Sequence, residues 1–84
     1  MSRALDVTQA FGRVLKSVRK DAGLSQRELA ARAEIHGSYP SLIERGRRQP
    51  TLQVLVGLAA ALDTTGKKLL DATCALMRRQ RRAP

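Results

Sequence analysis

The sequence predicts an all-α domain of five helices. Two observations lead there. Apolar residues recur at helical spacing in segment after segment, with no stretch alternating at the period of a strand. Glycine, proline and helix-capping residues punctuate the gaps between those segments. A chain of 84 residues makes one domain with a single core, small enough to need a compact helical plan or a partner subunit. The hydrophobic share of 43% supports folding, but Phe11 and Tyr39 are the only aromatics, so aliphatic side chains must fill the interior.

The first helix runs from Asp6 to Ala22: Val7, Phe11, Val14, Leu15 and Val18 form one stripe, and Gly23 is placed to end it. Residues 25–28, SQRE, read as a capping box in which the Ser25 hydroxyl accepts from a free backbone N–H while Glu28 reaches back. The helix it starts turns Leu29, Ala30 and Ala33 inward. Only Glu34 to Gly37 separate it from the next apolar pair, Leu42 and Ile43, and Gly46 closes that third element. Two short helices joined so tightly must cross steeply, which is a helix-turn-helix. Pro50 and Thr51 open a fourth helix, with Thr51 as N-cap and Leu52, Leu55, Leu58, Ala59 and Leu62 as its inward face. DTTG interrupts it. The fifth helix carries Leu69, Leu70, Cys74 and Met77 at helical spacing and is expected to fray in its terminal arginines. The implied layout is an N-terminal arm over residues 1–5, the domain over 6–77 and a basic tail over 78–84.

Sixteen Lys and Arg against seven acids give a formal charge of +9, which attracts polyanions: nucleic acid first, an anionic membrane second. Cys74 is the sole cysteine and His36 the sole histidine, so no internal disulfide, metal set or cofactor is expected, and no nucleophile has a base. An enzyme is therefore not expected. The apolar run from Leu55 to Leu62 is far below the roughly 20 residues of a bilayer span, and the first ten residues lack a signal-peptide core. A soluble, cytoplasmic protein without a membrane partner is the expectation.

The segments FGRVLKSVRKDAGLSQRELAARAEI, SYPSLIERGRRQPTL and LAAAL, in this order across residues 11 to 62, resemble the Cro/repressor-type (XRE) helix-turn-helix family. The resemblance implies a repressor-like five-helix fold with residues 25–33 as the supporting helix and His36 to Arg45 as the recognition helix. It implies phosphate contacts from Ser25 and Gln26, at a helix start where free N–H groups attract anions. It places Arg45, Arg47 and Arg48 in a basic loop that touches the DNA backbone, where the alternative is a solvated surface. Arg19 and Glu44 match an ion pair between the first and third helices; two separately solvated side chains are the alternative.

Departures from the family pattern weaken the base-reading surface. Glu34 stands where a turn glycine is common, so the turn is expected to be built differently. Gly37, Ser38 and Leu42 occupy positions that often carry long polar side chains, and none of them can make a bidentate base contact. Readout is left to His36, Ser38 and Ser41, with Leu42 offering a methyl contact to thymine or packing inward. His36 is equally well an exposed turn residue, and Tyr39 either joins the core or points its hydroxyl at phosphate.

Pro40 would clash with the His36 carbonyl in a helix capped at His36, so the regular helix is expected to start late, near Ser38 to Pro40. Tyr39 should then be pushed out of helical geometry, with His36 and Gly37 in an extended, flexible turn and the N–H groups of Ser41 and Leu42 turned toward phosphate.

The functional expectation is a sequence-specific DNA-binding transcriptional regulator, a repressor or autoregulator, acting on double-stranded DNA as a homodimer at a palindromic site. The alternative is the same fold used as an antitoxin-like module for a protein partner, with base readout weak or lost.

Overall fold

The structure is a computed structural model that describes residues 5–82. Five helices and no strand occur among them: α1 (Val7–Asp21), α2 (Gln26–Ala33), α3 (Tyr39–Glu44), α4 (Leu52–Ala61) and α5 (Gly66–Arg82). All of the expected arm except Leu5 lies outside the described residues.

Side-chain caps start four of the helices. Asp6 and Ser25 each form a reciprocal capping box, with Gln9 and Glu28 respectively. Thr51 accepts from the Val54 N–H and Thr65 from the Lys68 N–H. One motif ends the first four. After α1, the Gly23 and Leu24 N–H groups donate to the Lys20 and Arg19 carbonyls; after α3, Gly46 and Arg47 donate to Ile43 and Leu42. These are Schellman closures, which require a left-handed residue, and Gly23 and Gly46 supply it at φ 75° and 72°. Glu34 after α2 and Asp63 after α4 take the same conformation without being glycine, at φ 57° and 56°. The turn at Glu34 is thus not built differently, contrary to expectation. Its two closing bonds, Glu34 N–H to the Ala31 carbonyl and Ile35 N–H to the Ala30 carbonyl, hold a strained residue in place.

The core consists of Phe11, Val14 and Leu15 from α1, Leu24 and Leu29 around α2, Ile43 from α3, Leu55, Leu58, Ala59 and Leu62 from α4, and Leu69 from α5. Helix α1 lies between α3 and α5, while α2 packs on α3 and α4. Gly12 is what brings α1 against α3: a Cβ there would overlap the Ile43 carbonyl oxygen.

Two expectations about the outer helices, the burial of Leu52 and the fraying of α5, need correction. Leu52, the first residue of α4, is not inward-facing but 79% exposed. Leu69 closes the core, whereas its neighbour Leu70 is 42% exposed and Cys74 is exposed; Thr73 takes the inward position and bonds its hydroxyl to the Leu69 carbonyl at 2.8 Å. Helix α5 runs through the arginines expected to fray and ends at Arg82, so residues 78–82 of the expected tail are helical.

The start of α3 falls within the expected range of Ser38 to Pro40. The helix begins at Tyr39, with Pro40 in its first turn, where no N–H is needed, and the proline ring is fully buried. The His36 carbonyl, which Pro40 cannot serve, accepts from the Tyr39 N–H at 3.0 Å. The details differ from expectation. Tyr39 lies inside the helix, and His36 to Ser38 form a hydrogen-bonded turn rather than an extended one. Gly37 does not use a left-handed φ, and the Leu42 N–H is committed to the Ser38 carbonyl.

Candidate nucleic-acid interface

The candidate surface comprises the start of α2, the turn before α3, α3 itself and the basic loop after it. Its frame is set by a buried ion pair. Arg19 of α1 donates through Nε and an Nη to the two carboxylate oxygens of Glu44, at 2.6 and 2.9 Å, and through its other Nη to the Leu24 carbonyl at 2.8 Å. The side chains are 9% and 2% exposed. The Glu44 hydrogen bonds outweigh burial and hold the Arg19 guanidinium more firmly charged than usual. The arrangement is fork to fork, which fixes the roll of α3 about its axis as well as its distance from α1.

Gln26 joins this network, its Nε2 donating to Glu44 at 3.0 Å. One amide hydrogen is therefore spent inside the protein and one remains to face outward. Ser25 is occupied as a cap: its hydroxyl accepts from the Glu28 N–H at 3.0 Å, and its own N–H donates to the Glu28 carboxylate at 2.8 Å. Those bonds hold the Glu28 carboxyl below the usual glutamate range, the backbone bond most of all. The sequence shows the cap plainly, but the link from Gln26 to Glu44 crosses 18 residues and leaves no local trace.

Ahead of α3, His36, Gly37 and Ser38 are exposed, while Ser41 and Leu42 are half-buried. Tyr39 is half-buried and packs against the core, and the Arg48 guanidinium lies over its ring at 4.5 Å from the centroid. Arg45, Arg47 and Arg48 are all exposed, and the Arg45 Nε returns to the Ser41 carbonyl at 3.4 Å. Arg13 of α1, which the periodicity marks only as solvent-facing, lines a shallow groove with Gln9, Arg45 and Gly46. It adds a cation next to the basic loop.

A short supporting helix, a left-handed turn, and a second helix locked to the first helix of the domain and followed by exposed guanidiniums together define a helix-turn-helix protein. The comparisons with known proteins agree. A helix-turn-helix domain family matches residues 10–72, and the chain belongs to that family. It is 36% identical over 69 residues to an uncharacterized HTH-type transcriptional regulator, y4dJ, of Sinorhizobium fredii, spanning 82% of this chain and 90% of that one. It is 36% identical over 66 residues to the control protein C.SmaI of Serratia marcescens, spanning 79% of each. The crystal structure of the clp gene regulator ClgR from Corynebacterium glutamicum superposes with a TM-score of 0.87 at 29% identity, over 93% of this chain and 83% of that one.

Proposed function

We infer that the protein is a sequence-specific DNA-binding transcriptional regulator that acts on double-stranded DNA as a homodimer, in the cytoplasm and without enzymatic activity. One observation carries the reading: α3 is clamped by the Arg19–Glu44 pair while Arg45, Arg47 and Arg48 stand exposed directly after it. A rigid element with a cationic border is what docking in a major groove along a phosphate wall requires. Gln26 at the start of α2 is tied to Glu44 at the end of α3, and the basic loop follows directly from there. His36, Ser38, Ser41 and Leu42 are the side chains available to base edges. Among the described residues no group of His, Cys, Asp and Glu could hold a metal ion, and no helix is long and apolar enough to cross a membrane.

Two copies reading half-sites about 34 Å apart, one helical turn, double the sequence read by a surface with few donors. The test is a binding selection from random duplexes at stated salt, followed by titration of the selected site across a salt series. Selection of a palindrome with a steep salt dependence is expected. Binding that does not change with salt would point to the protein-interaction alternative.

A further inference from the structure

A free serine hydroxyl discriminates poorly between bases because it both donates and accepts. Ser38 is not free. Its hydroxyl oxygen lies 2.9 Å from the Nδ1 of His36, and its backbone N–H donates to the same nitrogen at 3.2 Å. The amide can only donate, so Nδ1 must present its lone pair, and the proton of the neutral imidazole sits on Nε2. The single lone pair at Nδ1 is shared by the amide at 3.2 Å and the nearer Ser38 hydroxyl at 2.9 Å, so the hydroxyl hydrogen points to the ring and the oxygen lone pairs face outside.

We propose that His36 and Ser38 form a polarised reading pair, with His36 acting only as a donor through Nε2–H and Ser38 only as an acceptor. The proposal rests on the DNA-binding reading above and adds what the two side chains select. In the major groove the base donors are the exocyclic amines of adenine and cytosine, so Ser38 favours a base of that kind and is barred from phosphate oxygens, which only accept. His36 takes the opposite partner: N7 of a purine, O6 of guanine or O4 of thymine. Both residues are exposed and lie immediately before α3, so their substitution leaves the core untouched. Coupling is the distinctive consequence. Without the imidazole, the Ser38 hydroxyl regains its donor and loses its preference, although Ser38 itself is unchanged.

The tautomer is read directly in the DNA-free protein from the two ring nitrogen shifts of His36 by NMR. A protonated Nε2 with a bare Nδ1 is expected, and a protonated Nδ1 in the neutral ring overturns the proposal. Base preference is then compared by selection from random duplexes for the wild type, His36→Ala and Ser38→Ala. The expected result is that Ser38→Ala relaxes one position by about threefold to tenfold, the worth of one neutral hydrogen bond, while His36→Ala relaxes that position and a second one. Independent loss of one position in each variant, or unchanged preferences in both, overturns the pair. Failure of the wild type to bind any duplex would defeat the DNA-binding reading itself, a result distinguishable from the others because every variant would be equally silent.

Discussion

Arg19 and Glu44, 25 residues apart in sequence, are joined by two hydrogen bonds in a site where the carboxylate is almost fully enclosed. Removing one member leaves the other buried and unpaired, which costs about 3–5 kcal/mol. Arg19→Met and Glu44→Leu are each expected to destabilise the domain by amounts in that range in urea unfolding. The double variant should recover much of the loss, because two apolar groups leave no orphan charge. Arg19→Met within ~1 kcal/mol of the wild type would show that the pair is not a constraint on α3.

The capping box of α2 ties stability to pH. Glu28 is ionised more readily in the folded state than in the unfolded one, chiefly because its carboxylate accepts the Ser25 N–H. A carboxylate lowered in this way contributes its stabilisation above the unfolded value and loses it as pH falls through the folded value. The gap in stability between the wild type and Glu28→Gln should therefore be present near neutral pH and close on acidification, below the usual glutamate range. A gap that widens in acid would contradict the cap. Amide exchange in α2 is the sensitive readout.

Helix positions and caps were legible in the sequence because they depend on neighbours along the chain. Ser25 with Glu28, Thr51 before Leu52 and Gly23 after α1 are local chemistry, and so is the delay of α3 by Pro40. What escaped depends on contacts distant in sequence. Leu52 keeps the same spacing as Leu55 and Leu58, but nothing in that spacing tells whether a helix lies opposite the first turn of α4. The tie from Gln26 to Glu44 and the stacking of Arg48 on Tyr39 exist only once α2, α3 and the basic loop converge. Tyr39 itself shows local preference yielding: the residue before a proline is disfavoured in a helix, yet its ring packs on the core and its N–H bonds to the His36 carbonyl.

Leu52, Val56 and Leu70 are 79%, 64% and 42% exposed, and Val7 is 47% exposed. Val7, Leu52 and Leu70 line one shallow apolar groove over Phe11 and Leu55. If this face joins two copies, Leu52→Glu and Leu70→Glu should lower the dimer fraction in light scattering at micromolar concentration, with little change in monomer helicity. Each should also weaken binding to a full palindrome far more than to an isolated half-site, because only the full site rewards the second copy. Unaltered mass and site preference in both variants would place the dimer contact elsewhere.

The basic loop and the aromatic ring beneath it separate two contributions to affinity. Neutralising one phosphate contributes a slope of about 0.9 in log affinity against log salt, so Arg47→Ala with Arg48→Ala should flatten the slope by about one to two units and weaken binding to every duplex. Tyr39 contributes differently, because its ring holds the Arg48 guanidinium at 4.5 Å without adding charge. Tyr39→Leu keeps both arginines and should leave the slope intact while lowering affinity about twofold to fivefold, the range of an exposed cation–π contact. Tyr39→Phe retains the ring and should bind as the wild type does. A loss in Tyr39→Phe equal to that in Tyr39→Leu would instead assign the contribution to the phenolic hydroxyl at phosphate. A flattened slope in Tyr39→Leu would mean that Arg48 leaves the DNA when its platform is removed.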